Sequence, residues 1–153
     1  MKDAPVVDAA GDPDEGDVIT AQLGGSYVLE PTALWDDGNL TFELATAHVD
    51  SHDSDDLRFD DTAIAAALRA EFSYINVYPG VDIKVPIFMQ RTFDGIIREA
   101  NMIEDGTTFN LTVKAIYLNN FSAQVGYTSY FDGGHDNLLT DRDNVSLAVS
   151  YSF

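Results

Sequence analysis

Apolar and polar residues alternate along most of the chain with a period of two rather than 3.6. A period of two is that of a β-strand whose two faces meet different surroundings. The seven alternating segments are Val18–Glu30, Asn39–Val49, Thr62–Tyr78, Val81–Arg91, Thr107–Leu118, Phe121–Phe131 and Asn144–Phe153. Together they predict an all-β fold, an antiparallel meander of about seven strands with no helix longer than a loop turn.

Two of these segments are irregular. The stretch Ala63–Leu68 is also compatible with a short helical turn, but the alternation continues through Tyr74 and favours a strand. Pro86 lies inside the fourth segment and has no backbone N–H to donate. We therefore expect a bulge or a local break in the ladder at Pro86.

The connections between the segments alternate between short and long. Short turns lie at Pro79-Gly80 and Asn119-Asn120, whereas residues 50–61, 92–106 and 132–143 form long connections. These long connections and the N-terminal segment, residues 1–17, hold 20 of the 26 acidic residues. Short turns at one end and long loops at the other are typical of outer-membrane β-barrels.

Aromatic residues on the apolar face of the predicted sheet fall near strand ends. Those near the short turns are Tyr27, Phe42, Tyr74, Tyr117, Phe121, Tyr151 and Phe153. Those near the long loops include Phe109 and Tyr127. Two aromatic girdles and an opposite face of small polar residues favour a barrel with lipid outside and a wet lumen. Alternation alone also fits a soluble seven-strand β-sandwich, which stays an alternative.

Composition narrows the partners. No run approaches 18 consecutive apolar residues, which excludes a transmembrane helix. The formal net charge of −18 disfavours nucleic acid and favours cations as small partners. Cysteine is absent, so disulfides and thiolate metal sites are excluded. No catalytic Ser/His/acid set can be assembled, so we expect a protein that is not an enzyme.

The C-terminal residues carry a recognisable pattern. Val149, Tyr151 and the terminal Phe153 alternate outward, which resembles the C-terminal signal that the barrel-assembly machinery reads in bacterial outer-membrane proteins. The stretch Gly133–Ser146, followed by Ser150-Tyr151-Ser152-Phe153, resembles the end of a porin-like family known as domain of unknown function family 1302. The turn region Tyr78–Asp82 is similar to that family's periplasmic turn.

This resemblance implies an outer-membrane channel and assigns no catalytic residues. A membrane sheet must close to satisfy its backbone groups, and bacterial barrels have an even number of strands. Seven strands are odd, so we expect residues 18–153 to be the C-terminal portion of a larger barrel. The structural alternative is a small barrel of eight strands. We expect residues 1–17 to form an acidic extracellular loop or tail.

Five charged residues point to the predicted lumen: Glu43, Arg69, Glu71, Lys84 and Lys114. Four of them, all except Arg69, are expected at comparable heights above the short turns. They suit a constriction that selects solutes by charge, or an ion-pair network that holds the barrel wall. The two interpretations are compatible and stay open.

The acidic loops supply oxygen ligands that suit divalent cations. The weak candidates are Asp50, Asp53, Asp55 and Asp56, which could hold Ca²⁺ or Mg²⁺ and bridge to lipopolysaccharide phosphates. No loop has the ligand order of an EF-hand, so no metal or other cofactor is expected as a resident group. The alternative interpretation is a solvated acidic rim without a specific ion site.

The sequence thus predicts a porin-like channel of the bacterial outer membrane for passive or facilitated diffusion of small solutes. Its partners would be the lipid bilayer with lipopolysaccharide, the barrel-assembly machinery, small solutes and further copies of itself. The alternatives are a non-conducting barrel whose acidic loops bind divalent cations or surface ligands, and the soluble sandwich as a binding module.

Overall fold

A computed structural model describes residues 3–7, 13–50 and 60–153 of the chain. Its strands are β1 (Asp3–Val7), β2 (Pro13–Leu29), β3 (Asp37–Val49), β4 (Thr62–Tyr78), β5 (Val81–Asp94), β6 (Thr107–Tyr117), β7 (Phe121–Phe131) and β8 (Asn144–Tyr151). They form one antiparallel sheet in chain order, which confirms the all-β meander. The seven predicted segments correspond to β2–β8.

The register places the alternating residues on two shared faces. Leu23 lies opposite Leu44, and Val113 opposite Val125, which in turn faces Leu147. On the other side, Ser26 lies opposite Thr41 and Lys84 opposite Lys114. Cross-strand partners lie on the same side of a sheet, so one side is mostly apolar and the other mostly small or polar. We call these sides the apolar face and the polar face.

The sheet has two ends. The turn end carries the tight connections Pro79-Gly80 and 118–120 together with the C-terminus. The loop end carries the longer connections 50–61, 95–106 and 132–143. The β1–β2 hairpin also lies at the loop end, where Asp3 is opposite Asp17. The N-terminal segment predicted as a loop or tail thus contains a short strand, and its extracellular placement stays a prediction.

Both irregularities expected from the sequence concern β4 and β5. Ala63–Leu68 is extended strand, paired with β3 on one side and largely with β5 on the other. The pairing of β5 with β6 is interrupted at Val85 and Pro86, and it resumes in the same register at Ile87. The missing N–H of Pro86 accounts for this break.

Two further irregularities were not expected. The pairing of β4 with β5 shifts between Ile64 and Ala65, and it shifts again between Tyr74 and Tyr78. Asn76 has a φ of 56° there, and its backbone N–H donates to Asp82 Oδ1 at 2.7 Å. A left-handed residue with this side-chain partner is a typical bulge, which bends and twists the strand locally.

The described sheet is open. Residues 18–29 of β2 pair only with β3, and β8 pairs only with β7. Within the described ranges no strand covers either of these edges, so their outward backbone groups have no ladder partner. Open edges agree with part of a larger barrel, and they also mark where further strands would attach.

None of the described residues forms a second layer on the apolar face. Ile19, Leu68 and Leu147 are 44%, 47% and 78% exposed, although each belongs to the alternating apolar set. A two-sheet sandwich would bury these side chains between its layers. The described residues therefore do not form the seven-strand β-sandwich that was the alternative.

Within the described residues, the helices are two single 3₁₀ turns, Arg98–Ala100 and Gly134–Asp136, each within a loop. No helix in residues 3–7, 13–50 or 60–153 is long and apolar enough to cross a membrane.

Candidate functional site

The connection between β5 and β6 folds back over the polar face. We call residues 95–106 the inner loop. Its apolar side chains Ile97 and Met102 are 2% and 7% exposed, and they pack with small residues of β3 and β4. The buried cluster consists of Ala47, Val49, Ala63, Ala65, Ile97 and Met102. Because these β3 and β4 positions lie on the polar face, the inner loop lies on that face too.

The sequence permits this docking because the polar face is lined with alanine at the loop end. Ala47 is opposite Ala63, and Ala45 is opposite Ala65. A methyl side chain leaves room above the sheet, so the larger Ile97 and Met102 fill it. Fully burying two such side chains stabilises the docked loop by roughly 1.5–3 kcal/mol each.

Backbone hydrogen bonds make the inner loop a compact unit. Ile97 and Met102 exchange two hydrogen bonds, with N···O distances of 2.9 and 3.0 Å. Asn101, between them, has a φ of 55° and donates its N–H to Arg98 O. The loop is thus a small hairpin that presents both apolar side chains to the sheet.

The start of the inner loop has no room for a side chain. Gly95 has a φ of 77°, and an added Cβ would lie 1.9 Å from the carbonyl oxygen of Thr62. The next residue, Ile96, donates its N–H to Asp60 Oδ2 at 2.9 Å. The position of the inner loop therefore depends on glycine at its first residue.

Ion pairs connect the inner loop with the connection between β7 and β8. Arg98 lies 3.6 Å from Asp136, measured between Nη2 and Oδ1. Arg91, at the loop end of β5, contacts Asp105 at 2.7 Å and Asp132 at 3.3 Å. All five side chains are partly exposed, so each pair contributes little alone, about 0–1 kcal/mol. Together they hold the two connections side by side.

A cavity of about 190 Å³ lies beneath the inner loop on the polar face. Its polar lining comes from Gln22, Glu43 and Gln90, one residue from each of β2, β3 and β5. Its apolar lining comes from Ala45, Ala65, Ala66, Ala67, Ala100 and Met102. The alanines that admit the loop also leave this space between loop and sheet.

Nearer the turn end, the polar face carries a chain of charges. Glu71 contacts Lys84 at 3.3 Å and Arg69 at 3.8 Å. Lys84 lies directly opposite Lys114 in the register. Lys114 forms no ion pair with any residue in the described ranges. We call Arg69, Glu71, Lys84 and Lys114 the charged belt.

The structure brings together four of the five predicted lumen residues and places the fifth apart. Glu43 lies opposite Ala67, which is four residues from Glu71 along β4. Four residues of strand correspond to about 13 Å. Glu43 therefore lies nearer the loop end than expected, in the cavity beneath the inner loop rather than in the charged belt.

The divalent-cation candidates are tested only in part. Asp50 is exposed and donates its N–H to Asp17 O, whereas Asp53, Asp55 and Asp56 lie outside the described residues. Among the residues that the structure describes, no group of three or more His, Asp or Glu side chains is placed to hold a metal ion. The weak Ca²⁺ or Mg²⁺ site stays a prediction.

Asp143 attaches the β7–β8 connection to β7. Its carboxylate accepts hydrogen bonds from the hydroxyls of Tyr127 and Ser129 and from the N–H of Tyr130. These three donors, Tyr127 first, hold the pKa of Asp143 below its usual value. Hydrogen bonds to the charged form are the cause, because the carboxylate itself is exposed.

The predicted assembly signal lies on the apolar face. Val149 and Tyr151 are 62% and 64% exposed, and Phe153 is fully exposed. The main chain beside them is held at Ser152, whose N–H donates to Asn120 O at 2.7 Å. The signal residues are therefore presented in register by β8 without being packed into the fold.

Sequence reasoning identified the charged residues but missed the inner loop. The signal that could have found it is a cluster of apolar residues, Ile96, Ile97, Met102 and Ile103, in a connection that is otherwise polar. A second signal is alanine at successive polar-face positions, Ala63, Ala65 and Ala67. Apolar residues in a long loop and small residues on a facing strand together indicate docking.

Fold and site together define an open antiparallel β-meander with one exposed apolar face and one polar face partly covered by a docked loop. Residues 4–153 match the family described as "Protein of unknown function (DUF1302)", and the chain belongs to that family. No curated protein and no solved structure matched the chain.

Proposed function

We propose that the chain forms part of the wall of a porin-like channel in the bacterial outer membrane, through which small solutes diffuse. The observation that carries this proposal is the exposure of large apolar side chains along every strand from β2 to β8. Leu23, Phe42 and Leu147, on three different strands, are 71%, 53% and 78% exposed. Soluble monomers rarely expose a continuous apolar surface of this kind.

Aromatic side chains at the turn end support a membrane boundary there. Tyr78, Val81, Tyr117, Phe121 and Tyr151 are successive cross-strand neighbours on β4–β8. The four aromatic members of this row are all more than 40% exposed. A row of exposed rings at one height suits the boundary between acyl chains and head groups.

The polar face supports an aqueous lumen. Its middle positions carry Thr, Asn, Gln and Ser, with hydrogen bonds between neighbours such as Asn110 Nδ2 to Thr128 Oγ1 at 2.8 Å. The inner loop lies on this face and would narrow the lumen near the loop end. The charged belt would form a second selective region nearer the turn end.

The open edges of β2 and β8 support a barrel that is larger than the described sheet. Unpaired backbone groups in hydrocarbon cost several kcal/mol each, so a sheet in a membrane must be completed by further strands. A channel that combines these strands with the described ones would enclose the polar face.

A matched pair of substitutions on β8 tests which face meets lipid. Leu147 and Ser146 are neighbours, both exposed, and lie on opposite faces. We expect Leu147→Arg to lower the free energy of unfolding in lipid vesicles by about 2–4 kcal/mol, and Ser146→Arg to change it little. Equal, small effects of both changes would contradict a lipid-facing apolar face.

Planar-bilayer recording tests conduction itself. The protein isolated from the outer-membrane fraction is expected to give discrete single-channel steps in KCl. Correct membrane insertion without any conductance would contradict the channel and would leave a non-conducting barrel with acidic loops as the better description.

A further inference from the structure

The cavity beneath the inner loop contains a carboxylate without an ion-pair partner. Glu43 forms no salt bridge with the described residues. Arg69 is a diagonal neighbour of Glu43 across β3 and β4, and it is engaged with Glu71 at 3.8 Å. Arg91 lies on the apolar face and is held by Asp105 and Asp132. Glu43 is exposed, and it thus presents to the cavity a negative charge that has no ion-pair partner among the described residues.

The other polar groups of the cavity can complement a cationic group. Gln22 on β2 and Gln90 on β5 line the same cavity as Glu43, with Ala67 of β4 between Glu43 and Gln90. Each glutamine has a carbonyl oxygen that accepts hydrogen bonds, and an ammonium group offers three donors. One carboxylate and two amide oxygens therefore match the hydrogen-bonding capacity of a primary ammonium group.

The remaining lining suits a short hydrocarbon chain. Ala65, Ala67, Ala100 and Met102 offer methyl and thioether surface beside the polar groups. The cavity, of about 190 Å³, has room for a ligand with one charged end and a short carbon chain.

The field of the whole chain favours the same class of ligand. The formal net charge is −18, and most acidic residues belong to the loop end, where the cavity lies. A negative rim raises the local concentration of cations and lowers that of anions. Solutes that enter from the loop end would meet Glu43 before the charged belt.

We propose that this cavity is a binding site for small primary amines in their ammonium form, with Glu43 as counter-ion and the inner loop as its roof. This inference rests on the proposed channel, for which it names a solute class. Glu43, Gln22 and Gln90 bind the ammonium group, whereas Met102 and the alanines contact the carbon chain.

The test measures block of single-channel current by n-butylammonium chloride added to KCl. Wild-type protein is expected to show concentration-dependent block. Glu43→Gln removes the charge but keeps the shape, and we expect it to weaken block by about tenfold, the usual effect of losing a charge-assisted hydrogen bond. The matched control is Glu104→Gln, an exposed loop residue that does not line this cavity.

The outcomes distinguish binding at Glu43 from a general electrostatic effect of the negative rim. Weakened block in Glu43→Gln alone supports the site. Equal block in wild type and both variants overturns the site. Equal weakening of block in both variants overturns it too, because the negative rim alone explains that result. Wild-type protein that inserts but does not conduct refutes the channel. In that case calorimetric titration of the solubilised protein with n-butylammonium tests the site separately, and absence of binding would overturn it.

Discussion

At the scale of single residues, the polar face separates two kinds of charge. The charged belt combines three cations with Glu71. One of these cations, Lys84 on β5, lies directly opposite Lys114 on the neighbouring strand β6. Like charges directly opposite each other destabilise a sheet slightly. Glu71 offsets this repulsion for Lys84, while Lys114 remains a net positive charge on the polar face. Glu43 is the negative counterpart nearer the loop end.

Changing the sign of one belt residue should change ion selectivity. We expect Lys84→Glu to raise the cation-to-anion permeability ratio of the proposed channel severalfold, because it replaces a cation of the charged belt with a carboxylate near Glu71. Reversal potentials in a KCl gradient measure this ratio. Arg142→Glu makes the same charge change in an exposed loop position and should alter it much less. An unchanged ratio in Lys84→Glu would leave the belt a structural role only.

We expect the stability of the β7–β8 connection to depend on pH through Asp143. The hydrogen bonds from Tyr127, Tyr130 and Ser129 lower its pKa in the folded protein. The ionised carboxylate therefore contributes fully to the stability of the folded state at neutral pH. That contribution is lost only in acid, as pH falls below the ordinary aspartate range towards the lowered pKa. We expect the Tyr130 amide to be strongly protected from exchange at pH 7, relative to an unstructured peptide at the same pH, and less protected in strong acid.

The variant Asp143→Asn should lose this protection already at neutral pH, because a neutral amide accepts the three hydrogen bonds less well. Hydrogen-exchange mass spectrometry of the β7–β8 connection measures the difference. Asp141→Asn, a neighbouring exposed residue, serves as the control. Equal exchange in both variants would show that Asp143 does not hold the connection in place.

At the scale of elements, the inner loop is the part that determines the shape of the site. It is fixed by burial of Ile97 and Met102, by the Ile97–Met102 backbone pair and by Gly95 at its start. Three independent constraints on twelve residues make a docked structure rather than an open lid. In the proposed channel, a narrowing of this kind would persist while the channel conducts.

Removing the two buried side chains should release the loop. We expect Ile97→Ala with Met102→Ala to destabilise its docked form by about 2–5 kcal/mol for each side chain. Faster hydrogen exchange over residues 95–106 and a larger single-channel conductance would be the result. Ile96→Ala changes the same loop outside the buried cluster and should leave conductance near the wild-type value. Unchanged conductance on release would mean that the loop does not narrow the lumen.

The strands could be predicted from the sequence because a period of two is a local property of a half-exposed strand. The break at Pro86 followed from the missing N–H of a single residue. The bulge at Asn76 and the inner loop could not be predicted in the same way. Both depend on contacts between residues of different elements, Asn76 with Asp82 and Ile97 with the alanines of β3 and β4.

The same limit explains the position of Glu43. Its face was predictable from alternation, but its height depends on how β3 is registered against β4. The pair Glu43 and Ala67 sets that register, and neither residue signals the other in sequence. The distinction between the charged belt and the cavity therefore required the structure.

At the scale of the whole molecule, the C-terminus is held for presentation rather than for packing. Phe153 is fully exposed, and its ring contact is with Tyr151, at 6.4 Å between centroids. Removing it should therefore cost little stability. If the resemblance to an assembly signal holds, its removal should strongly reduce the amount of protein in the outer membrane.

Deletion of Phe153 tests this directly by fractionation of cells that express the variant. The expected result is loss from the outer-membrane fraction with little change in stability once the purified protein is refolded. Phe93→Ser removes another exposed aromatic side chain, far from the C-terminus, and should assemble normally. Equal assembly of wild type and the deletion variant would refute the signal.

The direction of the outermost long strands has a consequence for how the wall is completed. Strands β2 and β8 are separated by five alternating neighbours, so both run towards the turn end. A second copy standing upright beside the first would bring two strands of like direction together, which breaks the antiparallel pattern. A polypeptide that pairs with both β2 and β8 must supply, next to each of them, a strand that runs towards the loop end. In the proposed barrel, identical upright copies therefore cannot complete one another through β2 and β8, and the completing strands would come from a different stretch of polypeptide.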